Sequence, residues 1–240
     1  MQLWDDRRGQ SIQIGAIILF GALIVLLSTY QAVVVPDQNR GVEFRHSQTV
    51  QNDMQEVRNV IVSTASGGGS RSVSVTLGTN YPSRTVFVNP GPPSGTVRTV
   101  GTETDAVNIS IDNGQATGDT GDFWNGGAVD YSTGALVYEP NYNVYENPPT
   151  TVYDNTVVYN EFRSGNTTVA GQNLIDGNRI NLVALNGSLS DSRTEAMSLD
   201  VRAVSASDNQ VSITNSPNSN LTISIATRIG SGTWKRMLES

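Results

Sequence analysis

Between Gly9 and Pro36 the chain carries no charged side chain, and its centre, Ile14 to Leu27, reads "IGAIILFGALIVLL". A helix rises about 1.5 Å per residue, so about 20 apolar residues cross the roughly 30 Å hydrocarbon core of a bilayer. A transmembrane helix over residues 10–36 is the first expectation. A secretory signal peptide has a shorter apolar region followed by a small-residue cleavage site. The residues that follow here, "STYQAVVVPDQNR", place no such site well, so the helix is expected to stay with the protein. Arg7 and Arg8 on one side are matched by Arg40 and Arg45 on the other, so the count of flanking positive charge leaves orientation open.

Past Pro36 the pattern changes from uniformly apolar to amphipathic. Val50, Met54, Val57 and Ile61 recur at the spacing of one helical face, with Gln51, Asp53, Gln55, Glu56 and Arg58 opposite. This predicts a stalk helix over 37–66, ended by Gly67 to Gly69. Run together with the anchor, a helix from Ser11 to Ser63 is about 80 Å long, with a kink expected at Pro36. Its apolar face is expected to pack on the chain's own head.

Residues 70–240 are read as that head, and it should be β-rich. Ser, Thr, Asn and Gly crowd this part, and charged residues make up only 15% of the whole chain. "RSVSVTLG" sets Val73, Val75 and Leu77 on one face, and "AVNISID" does the same with Val107, Ile109 and Ile111. "SRTVFVNPGPPSGTVRTV" reads as two strands joined by a Pro/Gly turn, and "GALVYEP", "TVVYNEF", "RINLVAL", "MSLDVRAVS", "QVSI" and "LTISIAT" as further strands. Nine or ten short strands without helical crossovers predict an antiparallel, sandwich-like head, so the fold class is α+β with a long N-terminal helix. The Gly/Asp-rich stretch Asp112 to Gly127 is a candidate boundary between two subdomains.

Chemistry-bearing patterns are sparse. Cysteine is absent, which excludes disulfides and thiolate chemistry. A net charge of −7 with a single lysine, Lys235, leaves no basic cluster for nucleic acid. His46 is the only histidine, read as lying on the polar side of the stalk, with no nucleophile or ligand cluster spaced to join it. Asp112, Asp119 and Asp122 share a Gly-rich loop but miss the spacing of a calcium-binding helix-loop-helix. Glu103 with Asp105 and Asp191 with Glu195 fit turns better than paired catalytic acids, and "SGGGS" lacks the strand and lysine of a phosphate loop. The tyrosines at 138, 142, 145, 153 and 159 suit packing more than sugar stacking. No catalytic residue, metal or cofactor is expected. Asn108, Asn166, Asn186 and Asn220 head N-x-[ST] triplets and are candidate glycosylation sites, Asn166 and Asn186 in turn-like text.

One short motif carries a resemblance. "RRGQS" at Arg7 to Ser11, running straight into the apolar stretch, resembles the class III signal of archaeal prepilins. The resemblance implies a cytoplasmic leader, residues 1–9, a cut between Gly9 and Gln10 by a membrane prepilin peptidase, and a retained helix. Arg7 and Arg8 would then hold the leader inside and the head outside. Gly9, with no side chain, suits close approach of a protease to the backbone. Many type IV pilins carry an acidic residue at the fifth mature position, where this chain has Ile14. The Tyr/Pro-rich segment from Tyr138 to Phe162 and "SLDVRAVSAS" are similar to uncharacterised haloarchaeal surface proteins. The function so implied is structural: a pilin-like cell-surface protein whose partners are membrane lipid, the peptidase, and copies of itself or other pilins. The alternative is an anchored adhesion or ligand-binding module that does not polymerise.

Overall fold

The computed structural model describes residues 7–102, 107–206 and 209–239. The chain opens as one helical path: α1 (Arg7–Thr29), a π turn (Tyr30–Val34) and α2 (Val35–Gly67). The 57 residues from Ser11 to Gly67 span about 86 Å at the usual rise. Pro36 has no N–H for the carbonyl four residues back, and its ring crowds that carbonyl. The wider π turn accommodates it, so the change of hydrogen-bond pattern lies just ahead of Pro36 and α-helical bonding resumes there. α2 stops where the backbone turns left-handed: Gly68 and Gly69 have φ of 66° and 80°, and Gly68 N–H closes the last turn on the Thr64 carbonyl at 2.9 Å.

The head follows in chain order as β1 (Ser70–Thr76), β2 (Ser94–Val100), β3 (Val107–Asp112), β4 (Gly114–Gln115), β5 (Val129–Thr133) and β6 (Ala135–Asn141). Then come β7 (Thr150–Asp154), β8 (Val157–Phe162), β9 (Gly165–Ala170), β10 (Ile175–Asp176) and β11 (Arg179–Ile180). Last are β12 (Ser190–Arg193), β13 (Ala196–Arg202), β14 (Thr214–Asn215), β15 (Thr222–Ile225) and a short helix α3 (Ser231–Leu238). All pairings among the described residues are antiparallel. A six-stranded sheet has the order β12-β2-β6-β7-β8-β9, β1 pairs with β13, and β15-β3-β5 form a third sheet. The α+β expectation with a sheet-rich head therefore holds.

The stalk's apolar stripe works as predicted. Val50, Met54, Val57 and Ile61 are buried against Val75 and Leu199 of the β1/β13 ribbon and against Leu136, Tyr138 and Tyr153 of the large sheet. Its other face buries Val137, Val152 and Tyr159 against Ile229 and Trp234 near the C-terminal helix. Covered on both sides, β6 and β8 read as solid apolar runs and not as alternating ones. The buried tyrosines 138, 153 and 159 are core residues, as their packing reading required.

Some strand expectations fail. "SRTVFV" forms no strand, because the polar backbone of Val88 pairs with the side chain of Gln31 in the π turn. Only Arg179–Ile180 of "RINLVAL" pairs as strand; further on, Leu185 bonds to Thr133 and Gly134 instead. "QVSI" is not strand, and pairing resumes at Thr214. In the other direction, β7 is a central strand that follows Pro148 and Pro149 directly and was not anticipated.

Tight packing at one glycine gives a test. A Cβ on Gly95 would land on the Tyr138 hydroxyl and the Leu77 carbonyl, which are themselves bonded at 2.8 Å. Gly95→Ala is expected to lower stability by about 1–3 kcal/mol through overpacking. Met54→Ala, which empties a fully buried site, should cost about 2–5 kcal/mol. Denaturant unfolding of the detergent-solubilised chain reads both.

Candidate functional site

Stepping back along α2 from Val50 at helical spacing leads to Ser47, His46, Glu43 and Asn39, all buried. The buried stripe thus continues toward α1, but its chemistry turns polar. His46 is 4% exposed, which corrects its assignment to the solvent side of the stalk. A scan for apolar periodicity stops at Val50, although the same 3.6-residue period continues in polar residues. What buries them is tertiary: the loops 77–93 and 142–149 wrap the helix and bring partners from more than 30 residues away.

Glu43 sits at the centre with no exposed surface. Its carboxylate accepts the backbone N–H groups of Asn143 (2.7 Å), Val144 (3.0 Å) and Tyr145 (2.5 Å), and the hydroxyl of Tyr81. A buried carboxylate without partners costs several kcal/mol, and converging donors offset that cost. Burial and then the bond to Glu43 push the Tyr81 hydroxyl well above the ordinary phenol range. Asn143 Nδ2 closes the ring of bonds by donating to Tyr81 Oη at 2.9 Å and to the Gly91 carbonyl at 2.8 Å.

One turn further along, His46 Nδ1 and Tyr142 Oη are 2.7 Å apart. Tyr142 stacks on Tyr145, whose ring meets the edge of Phe44 at 5.7 Å. Burial holds the His46 imidazole below its usual value; the backbone of Thr76, Asp53, the backbone of Gly78 and Glu43 oppose that shift without cancelling it. Toward α1, Asn39 Nδ2 donates to Asn89 Oδ1 at 3.2 Å. Arg84 donates to Asn89 Oδ1 at 3.0 Å and to Gln38 Oε1 at 2.8 Å. Gln31 and Tyr30 complete the collar through Val88 and a 4.5 Å ring stack on Phe87.

This arrangement locks the helix against the two loops. The partner of His46 is a tyrosine within the collar, and no three His, Cys, Asp or Glu side chains converge among the described residues. Asp112, Asp119 and Asp122 do not come together as a group of three, and Asp191 is paired with Arg193 at 2.6 Å. Glu103 and Asp105 lie outside the described residues. Arg7, Arg8, Gly9 and Gln10 lie on the helical backbone of α1. The four sequon asparagines are exposed: Asn108 on β3 opposite buried Ile109, Asn166 on the edge strand β9, Asn186 and Asn220 in loops.

A protein of Archaeoglobus fulgidus, described only as an uncharacterized protein, is 24% identical over 192 residues. That match takes in 79% of this chain and 31% of the relative, so the chain spans about a third of the relative's length. No protein-family model and no solved structure matches the chain.

Two variants test the collar. Glu43→Ala orphans three backbone N–H groups and should cost about 3 kcal/mol or more. His46, neutral when buried, contributes stability that is full above its unfolded value of 6.5 and is lost as pH falls below it, where the unfolded chain binds the extra proton. His46→Gln should flatten thermal stability between pH 7 and pH 5, measured by melting curves.

Proposed function

We propose that this chain is a non-catalytic structural protein of the archaeal cell surface, built on a type IV pilin-like plan. The observation that carries the reading is the continuous rod Ser11–Gly67, with its first part apolar and exposed and its last part packed under an antiparallel head. The exposed apolar start of the Ser11–Gly67 helix contains an uncharged stretch of 18 residues, long and apolar enough to cross a membrane. "RRGQS" directly ahead of it supports cleavage between Gly9 and Gln10 by a prepilin peptidase, with Arg7 and Arg8 on the cytoplasmic side. The archaeal relative supports the lineage and adds no activity. Exposure of Asn108, Asn166, Asn186 and Asn220 supports their use as glycan acceptors on an outward head.

The partners in this reading are membrane lipid, the peptidase, and copies of the chain or other pilins, with neither nucleic acid nor cofactor involved. Ile14, where many type IV pilins carry an acid, favours a second reading: an anchored adhesion or ligand-binding module that never polymerises. Mass spectrometry of the membrane form is expected to find a mature terminus at Gln10, with Gly9→Val leaving the leader attached. An intact leader in the unmodified chain would discard the pilin-like plan. Surface filaments that disappear on deletion of the gene separate polymerisation from the solitary module.

A further inference from the structure

Loop 77–93 holds two of the exposed large apolar side chains of the head, Val86 at 70% and Val88 at 74%. Branched aliphatic side chains are among those most often buried, and here a pair of them flanks Phe87 at the end of a pinned loop. Their height on the molecule gives them meaning. From Ser11 to Tyr30 the helix rises about 30 Å, the thickness of a hydrocarbon core. Tyr30 and Gln31 therefore stand where such a helix leaves the lipid, and the loop is fastened at that level by the Tyr30–Phe87 stack and the Gln31–Val88 bonds. An aromatic pair at this depth suits the amphipathic interface.

The backbone chemistry of the tip points the same way. Gln31 donates to the Val88 carbonyl at 2.9 Å and accepts from the Val88 N–H at 3.1 Å. A backbone unit whose polar groups are both paired loses little on leaving water, whereas an unpaired one is costly in lipid. Pro90, Pro92 and Pro93 follow with no N–H to satisfy. The loop contains no acidic residue, and its single charge is Arg84, which suits a phosphate-bearing surface. Arg84, Asn39 and Asn89 brace the loop against the helix, so its tip is held and not free to fold away.

We propose that the tip Val86–Val88 is a second membrane contact, dipping into the interfacial layer of phospholipid beside α1 and seating the head directly on the bilayer. The inference rests on α1 being embedded in lipid. Two contacts instead of one restrict the tilt of the helix and the swivel of the head about it.

The chain has no cysteine, so single labels are clean. Val86→Cys and Val88→Cys are each labelled with an environment-sensitive nitrobenzoxadiazole and the full chain is reconstituted into phosphatidylcholine/phosphatidylglycerol vesicles. Some vesicles carry acyl chains brominated near the headgroup. Val25→Cys reports the anchor and Ser219→Cys an exposed turn of the head. Blue-shifted emission at 86 and 88 that is lost with brominated lipid, while 219 is unaffected, is the expected result. Quenching at 25 but not at 86 or 88 overturns the second contact and leaves the anchor standing. Absence of quenching at 25 removes the anchor reading, and this inference with it. Emission at 86 and 88 that ignores bromine yet follows the protein-to-lipid ratio assigns the tip to a second copy of the chain and also overturns the proposal.

Discussion

Burial of one face of α2 is the constraint from which the head takes its form. That face begins at Val35 and runs through Asn39, Glu43, His46 and Val50 to Ile61 and Thr64 without a break in helical period. Its chemistry divides along the way. Toward the head, Val50, Met54, Val57 and Ile61 meet sheet residues, and transfer of apolar surface from water supplies a non-directional attraction. Toward α1, Asn39, Glu43 and His46 meet loops, and the contacts are directional hydrogen bonds. The first half gathers the strands; the second sets how the loops lie.

The division suits a body mounted on a rod. Apolar packing alone tolerates some sliding and rotation of a helix along its groove, because many arrangements bury similar area. A carboxylate that must meet three consecutive N–H groups tolerates far less, since a shift of one residue leaves buried donors unpaired. Glu43 therefore fixes the rotational setting of the helix against the head. Arg58, which donates to the Thr156 carbonyl at 2.6 Å, does a similar job at the other end. The exposed apolar run of α1 then projects from a defined joint and not from a loose linker.

Much of this plan was legible from particular residues. The uncharged stretch to Pro36, the Val50–Ile61 stripe and the glycines at 67–69 each have one cheap solution, and the chain adopts it. The Val73/Val75/Leu77 alternation is likewise buried as written. The collar was not legible. Glu43 and His46 look like solvated stalk residues, because a polar side chain reveals burial only through its partners, and those lie in loops with no periodicity. The "TVFV" segment misled for the related reason that β-branched residues suit a strand in sequence, while here they serve a loop whose ladder partner is a side chain on another element.

Length, charge and periodicity alone determined that a greasy helix continues into an amphipathic one and that a turn-rich, β-branched tail makes antiparallel sheet. These are local properties, set by side-chain solubility and backbone preference within a few turns or one strand. Tertiary structure alone decided the strand order, the covering of the central sheet on both faces, and the conversion of a polar stripe into a buried joint. Each of those requires groups distant in sequence to meet, and the free energy of such meetings belongs to no single segment.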